Sequence, residues 1–190
     1  NPLPSTKVPV INALGQVVAE NITSKIKVPP FQNSAMDGYA ITSNSCIKAS
    51  SKNPTTLSVT ATIGAGQIPN KNVSPTTAIR IMTGAQIPNG ADAVVPFEDT
   101  NETELLSNNL PLTKIKIYKK VISGQYVRPA GEDISLGQLI VSKGTIVNPP
   151  IIGLLSSVGI KSISVTKRPT VAVISTGSEL VAPGSRLSKS

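Results

Sequence analysis

Short apolar runs separated by glycine and proline turns constrain the fold of this chain more than any other feature. The clearest run is Thr55–Ile63, TTLSVTATI, in which every second side chain is apolar, as in a β-strand with one buried face. Shorter strands are predicted at 39–42, 78–82, 93–95, 114–122 and 126–127, and residues 98–109 are predicted to form a polar loop or hairpin tip. Residues 28–134 are therefore predicted to form an all-β unit, barrel-like or sandwich-like.

The character of the sequence changes at Asn148. Asn148 is a favourable N-cap, Pro149 suits the first helical position, and Gly159 suits the residue that follows a helix. These signals predict a helix at residues 149–158, followed by a strand at 163–166. The predicted fold class is therefore mostly β with some α.

Residues 170–175, TVAVIS, form a nearly continuous apolar run, which is typical of a strand buried in a parallel sheet. The run leads into a glycine turn at Thr176 and Gly177, and open α/β sheets bind ligands at the carboxyl ends of their strands. We expect residues 168–190 to begin an α/β subdomain of which most is missing, so that the chain is a fragment.

The composition excludes several classes of protein. The chain has no histidine, which removes Ser–His and Cys–His catalysis and most zinc sites. Its single cysteine, Cys46, excludes an internal disulfide and fits a reducing compartment, so a cytoplasmic location is expected. No apolar run reaches the roughly eighteen residues that a membrane span needs.

The net charge of +8 favours anionic partners such as phosphates and oxyanions. Four lysines form the densest basic cluster and alternate with isoleucines, which predicts the solvated face of a strand: Lys114, Lys116, Lys119 and Lys120. A nucleic-acid or membrane surface is the alternative interpretation. No aromatic side chains accompany the lysines, so we expect no nucleic-acid partner.

Four glycine turns each place a carboxylate or a hydroxyl group beside a flexible backbone. They are SAMDGY at 34–39, RIMTGA at 80–85, RPAGED at 128–133 and STGSE at 175–179. Hydroxyls and the N–H groups of glycine turns suit phosphate oxygens, whereas carboxylates suit Mg²⁺ or orient an attacking water. Each turn alone is explained by a capping interaction, but the four together predict a site.

In this order the segments PPFQNSAMDGYA, IRIMTGAQIPNGADAVVPFED, VRPAGEDI and VAVISTGSELVAPG resemble the molybdopterin molybdenumtransferase family. This is the molybdenum insertase family of bacterial MoeA and the E domain of gephyrin. The resemblance runs from about Ala13 to Ser185 and preserves the spacing of the four motifs. Gln86 departs from it, because the family often has proline there.

The resemblance implies an elongated homodimer of several subdomains. Residues 1–27 and 135–166 would form a linker subdomain that carries the dimer contact, and residues 28–134 would form a β-rich subdomain inserted into it. Residues 168–190 would begin an α/β molybdopterin-binding subdomain.

The reaction implied by the resemblance inserts molybdate into adenylylated molybdopterin and releases AMP, with a divalent cation such as Mg²⁺. Three residues would be catalytic: Asp37, Asp133 and Glu179. Six would bind substrate: Ser34, Thr83, Gly84, Arg128, Thr176 and Gly177. Asp37 and Asp133 are candidates to position a cation or a water from across the dimer. Arg128 is either a counter-charge for the substrate or the partner of Glu132 in a salt bridge.

The family's molybdate pocket and main cation ligands lie downstream of Ser190, so the chain alone is expected to be inactive. The protein that adenylylates molybdopterin is an expected partner. A scaffold that clusters receptors, as gephyrin does, is an alternative function and would use surfaces away from the four turns. A basic binding module without catalysis is a third.

Overall fold

The computed structural model describes residues 3–177 and 179–186. Its strands are β1 (Ser5–Pro9), β2 (Ile22–Thr23), β3 (Asn33–Ser34), β4 (Gly38–Ile41), β5 (Thr55–Ile63), β6 (Thr77–Ile81), β7 (Ala93–Pro96), β8 (Lys114–Ile117), β9 (Val127–Arg128), β10 (Leu139–Val141) and β11 (Ser162–Thr166). Its helices are α1 (Glu102–Ser107) and α2 (Pro149–Ser157), with short 3₁₀ turns at Val10–Asn12, Ser43–Cys46 and Phe97–Asp99. The predicted fold class, mostly β with some α, is confirmed.

The chain forms two compact units. The linker unit contains the residues up to Ile22 and those from Val141 onward, and the sheet unit is Thr23–Ile140. None of the helices that the described residues form combines the length and the apolar character needed to cross a bilayer.

A five-stranded mixed sheet in the order β7-β4-β6-β5-β8 is the centre of the sheet unit. Its pairs are antiparallel except for β5 with β6, which are parallel. The pairing of β4 with β6 places Tyr39 opposite Arg80 and Gly38 opposite Ile81. The predicted strand Thr55–Ile63 is confirmed at both ends, and the β-rich character predicted for this part of the chain is confirmed with it.

Apolar clusters cover both faces of this sheet around β4, whereas at β8 the lysine face is exposed. Along β4, Tyr39 and Ile41 belong to one apolar cluster, whereas Ala40 belongs to the other. The alternation follows from strand geometry, because successive side chains point to opposite faces. The first cluster is completed mainly by Leu57, Val95, Ile115 and Ile117, and the second by Ile63, Ile79, Ile81 and Val94.

The strand predicted at 114–122 is wrong in its second half, because β8 ends at Ile117. Its partner β5 begins at Thr55, which pairs with Ile117, and the residue before Thr55 is Pro54. Proline has no N–H to donate, so the pairing has nothing to continue with beyond that point.

The loop predicted at 98–109 is also wrong, because it contains α1. Helix α1 is short and mostly polar, so its sequence lacks the apolar stripe that identifies a helix. Leu105 packs against the first apolar cluster, and Glu102 is buried. Tertiary contacts of these two side chains therefore hold a helix that local sequence does not predict.

In the linker unit, β1 pairs antiparallel with β11, with Val8 opposite Ile163. The predicted helix at the Asn148 cap is confirmed as α2, and the side chain of Asn148 accepts a hydrogen bond from the Ile151 N–H at 3.0 Å. Leu155 on α2 is fully buried, so the helix contributes to the core of this unit.

The strand predicted at residues 170–175 does not form. These residues have no strand pairing, and Val173 and Ile174 are 92% and 81% exposed. A strand needs a neighbouring strand to satisfy its backbone, and no other segment of the described chain pairs with this one. Its apolar character alone was therefore not enough to bury it.

Candidate functional site

The carboxylate of Asp37 contacts the turn that contains Thr83. Asp37 Oδ1 accepts hydrogen bonds from the backbone N–H of Thr83 at 2.6 Å and from its hydroxyl at 2.7 Å. The two residues are 46 positions apart in the chain and come from different glycine turns. The structure therefore joins two of the four turns, as the hypothesis of a shared site requires.

Backbone hydrogen bonds lock these two turns together. The Ser34 N–H donates to Ala85 O at 3.0 Å, and the Gly84 N–H donates to Ser34 O at 2.8 Å. Ala85 also donates to Met82 O, and Gly84 has φ of +80°. This is the pattern of a type II turn, in which glycine suits the position with positive φ. The Ser34 hydroxyl donates to Met36 O at 2.6 Å and shapes the approach to Asp37.

The hydrogen bonds from Thr83 lower the pKa of Asp37. The backbone N–H makes the largest contribution, the hydroxyl adds to it, and the positive charge of Arg80 acts in the same direction. Both donors stabilise the ionised carboxylate. Asp37 is therefore an anion at neutral pH, and its second oxygen, Oδ2, has no hydrogen-bond partner among the described residues.

Asp37→Asn is expected to reduce stability at neutral pH and to have progressively less effect in acid. Because folding lowers the pKa of Asp37, its ionised form stabilises the fold above the carboxyl's usual value of about 3.9. That contribution is lost as the pH falls through the lowered value in the folded protein. Urea unfolding between neutral and acid pH measures the difference from the parent, with the exposed Glu20→Gln as a control for lost charge. A pH-independent difference would contradict the assignment.

A buried network of three side chains lies behind this contact. Arg80 Nη2 donates to Glu102 Oε1 at 2.6 Å, and Arg80 Nε lies 3.1 Å from both carboxylate oxygens. The hydroxyl of Tyr39 donates to Glu102 Oε2 at 2.5 Å. The side chain of Glu102 is only 3% exposed. Its charge is therefore compensated by a nearly bidentate arginine and one hydroxyl.

The network shifts the pKa values of its members. Burial raises the pKa of Glu102, but the hydrogen bonds from Arg80 and Tyr39 outweigh it, and the net shift is downward. Burial and the Glu102 carboxylate both raise the pKa of Tyr39. Glu102 and Arg80 were not among the predicted site residues. Arg80 lies in a motif that was recognised, but nothing local to Glu102 shows that it meets a strand 22 residues away.

Arg128 binds the two carboxylates of its own turn. Arg128 Nε and Nη2 donate to Glu132 and Asp133, each at 2.7 Å. The salt bridge with Glu132 is therefore present, and Asp133 shares the same guanidinium. Strand β9 pairs Arg128 with Asn33, next to Ser34, so this turn flanks the one that contains Asp37. No hydrogen bond in the described part of the chain joins Asp37 to Asp133.

The remaining predicted residues, Thr176, Gly177 and Glu179, belong to the linker unit and are exposed. Ser178 of the same motif lies outside the described residues. Gly177 has φ of +132°, a backbone conformation that residues with a side chain rarely adopt. The backbone conformation therefore favours glycine at this position.

The described residues contain no group of three acidic or cysteine side chains able to hold a metal ion. One oxygen of Asp133 is engaged by Arg128, and Asp37 has one oxygen without a hydrogen bond. Mg²⁺ prefers several oxygen ligands in octahedral geometry. Within residues 3–177 and 179–186, the protein side chains therefore do not form a complete cation site.

A groove of about 460 Å³ lies in the linker unit, lined by Thr6, Asn12, Leu14, Gln16, Lys167 and Arg168. It contains none of the residues of the four glycine turns. Lys167 and Arg168 give the groove a positive charge. The contact that joins two of the glycine turns, however, is the one between Asp37 and Thr83.

Residues 2–159 match the family model described as the MoeA N-terminal region (domain I and II). Molybdopterin molybdenumtransferase 2 of Mycobacterium tuberculosis is 38% identical over 180 residues, covering 95% of this chain and 42% of that protein. The molybdopterin molybdenumtransferase of Staphylococcus epidermidis is 41% identical over 169 residues, covering 89% of this chain and 38% of its own length. The chain thus spans about two fifths of these relatives.

A solved structure agrees with the sequence comparison. The molybdopterin biosynthesis MoeA protein of Pyrococcus horikoshii superposes with a TM-score of 0.85 and 38% identity, over 99% of this chain and 46% of that one. The resemblance inferred from the four motifs is thereby confirmed. The match to the family model, the similarity to the curated relatives and the superposition on the solved structure show that the chain belongs to the MoeA N-terminal region family.

Proposed function

We propose that the chain is the N-terminal part of a molybdopterin molybdenumtransferase, which inserts molybdate into adenylylated molybdopterin and releases AMP. The names of the relatives support a role in molybdenum cofactor biosynthesis. The observation that carries the proposal is the contact of Asp37 with Thr83, because it joins two motifs into one polar site.

The hydrogen bonds indicate what this site offers a substrate. The N–H groups of Thr83 and Gly84 are already engaged by Asp37 and Ser34. The groups left over are acceptors, namely Asp37 Oδ2 and the lone pairs of the Thr83 hydroxyl. They suit donors such as pterin N–H groups, ribose hydroxyls or water better than they suit bare phosphate oxygens. We therefore assign Asp37 the role of orienting a donor or an attacking water.

The remaining parts of the proposal are what membership of the family implies. We propose that the protein is a cytoplasmic homodimer whose linker subdomain, residues 1–27 and 135–166, carries the dimer contact, and that residues 28–134 are inserted into it. Asp133 and Glu179 would be the other catalytic residues, with Arg128 as a counter-charge for the substrate. A divalent cation such as Mg²⁺ would draw most of its ligands from substrate phosphates and from other parts of the longer protein. The protein that adenylylates molybdopterin would be its partner.

Substrate binding tests the proposal. In the longer protein, Asp37→Ala and Thr83→Val are each expected to weaken binding of adenylylated molybdopterin by about tenfold to a hundredfold, the value of a hydrogen bond to a charged group. Isothermal titration measures the affinity, with the exposed Thr113→Val as the matched control. The 190-residue chain alone should form no molybdenum cofactor.

Two outcomes would contradict the proposal. Unchanged affinity in both variants would remove the site from Asp37 and Thr83. Tight binding of DNA with a steep salt dependence would instead indicate a basic nucleic-acid-binding module.

A further inference from the structure

The buried network and the site lie at the same end of the β4–β6 pair. Tyr39 and Arg80 are directly opposite each other on β4 and β6. Asp37 directly precedes β4 and Met82 directly follows β6, and because the two strands are antiparallel both residues adjoin the same end of this pair, next to Gly38 and Ile81. Arg80 Nη1 lies 3.7 Å from the Met82 sulfur, which shows that the guanidinium extends toward the site.

Glu102 occupies the hydrogen-bonding side of Arg80. Glu102 accepts hydrogen bonds from Arg80 Nε and Nη2. The remaining nitrogen, Nη1, faces the thioether of Met82, which is a weak acceptor. The positive charge of Arg80 nevertheless reaches Asp37 and adds to the lowering of its pKa. The charge of Arg80 therefore acts on both the Asp37 and the Glu102 carboxylates, and in the structure Glu102 accepts its hydrogen bonds.

Asp37 is free to bind Thr83 because of this arrangement. A carboxylate that formed a bidentate pair with Arg80 would satisfy both its oxygens there, and such a pair is stronger than bonds to a neutral N–H and hydroxyl. The contact with Thr83 uses only Oδ1 and leaves Oδ2 without a partner among the described residues.

We infer that Glu102 is a positioning residue, which holds Arg80 away from Asp37 and so preserves the Asp37–Thr83 contact and the free oxygen of Asp37. The contribution of Glu102 to activity rests on the function proposed above, whereas its effect on the contact does not. Glu102 acts through Arg80 and touches neither Asp37 nor Thr83.

The amide of Thr83 reports the contact directly. In the 190-residue chain, Glu102→Gln is expected to speed hydrogen exchange of the Thr83 N–H by about tenfold or more, because Asp37 turns to the uncompensated Arg80. Nuclear magnetic resonance measures the exchange, with strand β5 amides reporting any general loosening of the fold. Glu104→Gln is the matched control, since Glu104 is an exposed glutamate on the same helix.

The double variant Arg80→Gln/Glu102→Gln separates positioning from simple support. Without Arg80 there is no competitor for Asp37, so exchange of the Thr83 amide should return to within about threefold of the parent value. If the network only supports the turn, the Thr83 amide of the double variant should exchange as fast as that of Glu102→Gln or faster. That result would overturn the inference. An unchanged rate in Glu102→Gln would also overturn it.

If Glu102→Gln does not fold, the double variant decides alone. The two glutamines of this variant are neutral and can hydrogen-bond to each other. If the Thr83 amide is as protected against hydrogen exchange as in the parent, the inference is supported, and if that protection is lost, the inference is rejected. The measurement needs no substrate. Failure of adenylylated molybdopterin to bind would therefore reject the proposed function and leave this result standing.

Discussion

Gly38→Ala is expected to lower the free energy of unfolding by about 3 kcal/mol or more. Gly38 lies on β4 between β6 and β7, opposite Ile81 and Pro96. A Cβ atom at this position would overlap the carbonyl of Val95 and crowd the backbone of Pro96. Backbone atoms cannot move aside as a flexible side chain does, so β4 and β7 would have to separate.

Gly153→Ala is the control for this prediction. Gly153 lies within α2, and a Cβ there meets nothing within 4 Å. Alanine is the better helix former, so this variant should be more stable by about 0.5–1 kcal/mol. Thermal and urea unfolding of both variants measure the effects. Parental stability of Gly38→Ala would mean that β4 and β7 are not packed as the structure shows.

Arg80→Met is expected to cost about 3–5 kcal/mol at neutral pH, a large part of the stability of a typical domain. The substitution keeps much of the side-chain volume but leaves the Glu102 carboxylate, 3% exposed, with only the Tyr39 hydroxyl as a partner. A buried charge without its counter-ion carries the full penalty of desolvation.

The effect of Arg80→Met should diminish in acid. In the parent the pKa of Glu102 is lowered, so its stabilising contribution is lost as the pH falls through that lowered value. In the variant only burial and one hydroxyl remain, and burial raises the pKa, so the variant regains stability as Glu102 takes up a proton. Urea unfolding against pH measures the convergence of the two curves.

Arg128→Met is the matched control for the charge. Arg128 is 37% exposed and pairs with carboxylates that are 44% and 51% exposed. Exposed pairs contribute about 0–1 kcal/mol because water and salt screen them. Equal losses for the two arginines would contradict the distinction between the buried and the exposed network.

Patterns among neighbouring residues correctly predicted the elements whose structure depends mainly on residues close together in the chain. The alternation of apolar residues identified Thr55–Ile63, and the capping side chain with its proline identified α2. The turn at Thr83 and Gly84 was likewise predicted from its glycine, and Gly84 has a positive φ in the structure. The proposal that Asp37 is functional came from the resemblance of its motif, and the structure adds the contact with Thr83.

What the sequence did not predict depends on partners distant in the chain. Helix α1 was interpreted as a loop because its polar composition hides the burial of Glu102, which only Arg80 and Tyr39 make favourable. The end of β8 at Ile117 depends on where β5 begins. The segment 170–175 has the composition of a buried strand, but no described strand pairs with it. None of these features can be recognised from a short stretch of neighbouring residues.

Hydrogen–deuterium exchange on the longer protein tests the central claim most directly. Addition of adenylylated molybdopterin should slow exchange in peptides that cover residues 34–40 and 80–86, because the ligand would contact Asp37 and Thr83 and stiffen both turns. Peptides from β8 at the far edge of the sheet should not change. Protection confined to other regions, with both turns unaffected by saturating ligand, would contradict a substrate site at the Asp37–Thr83 contact.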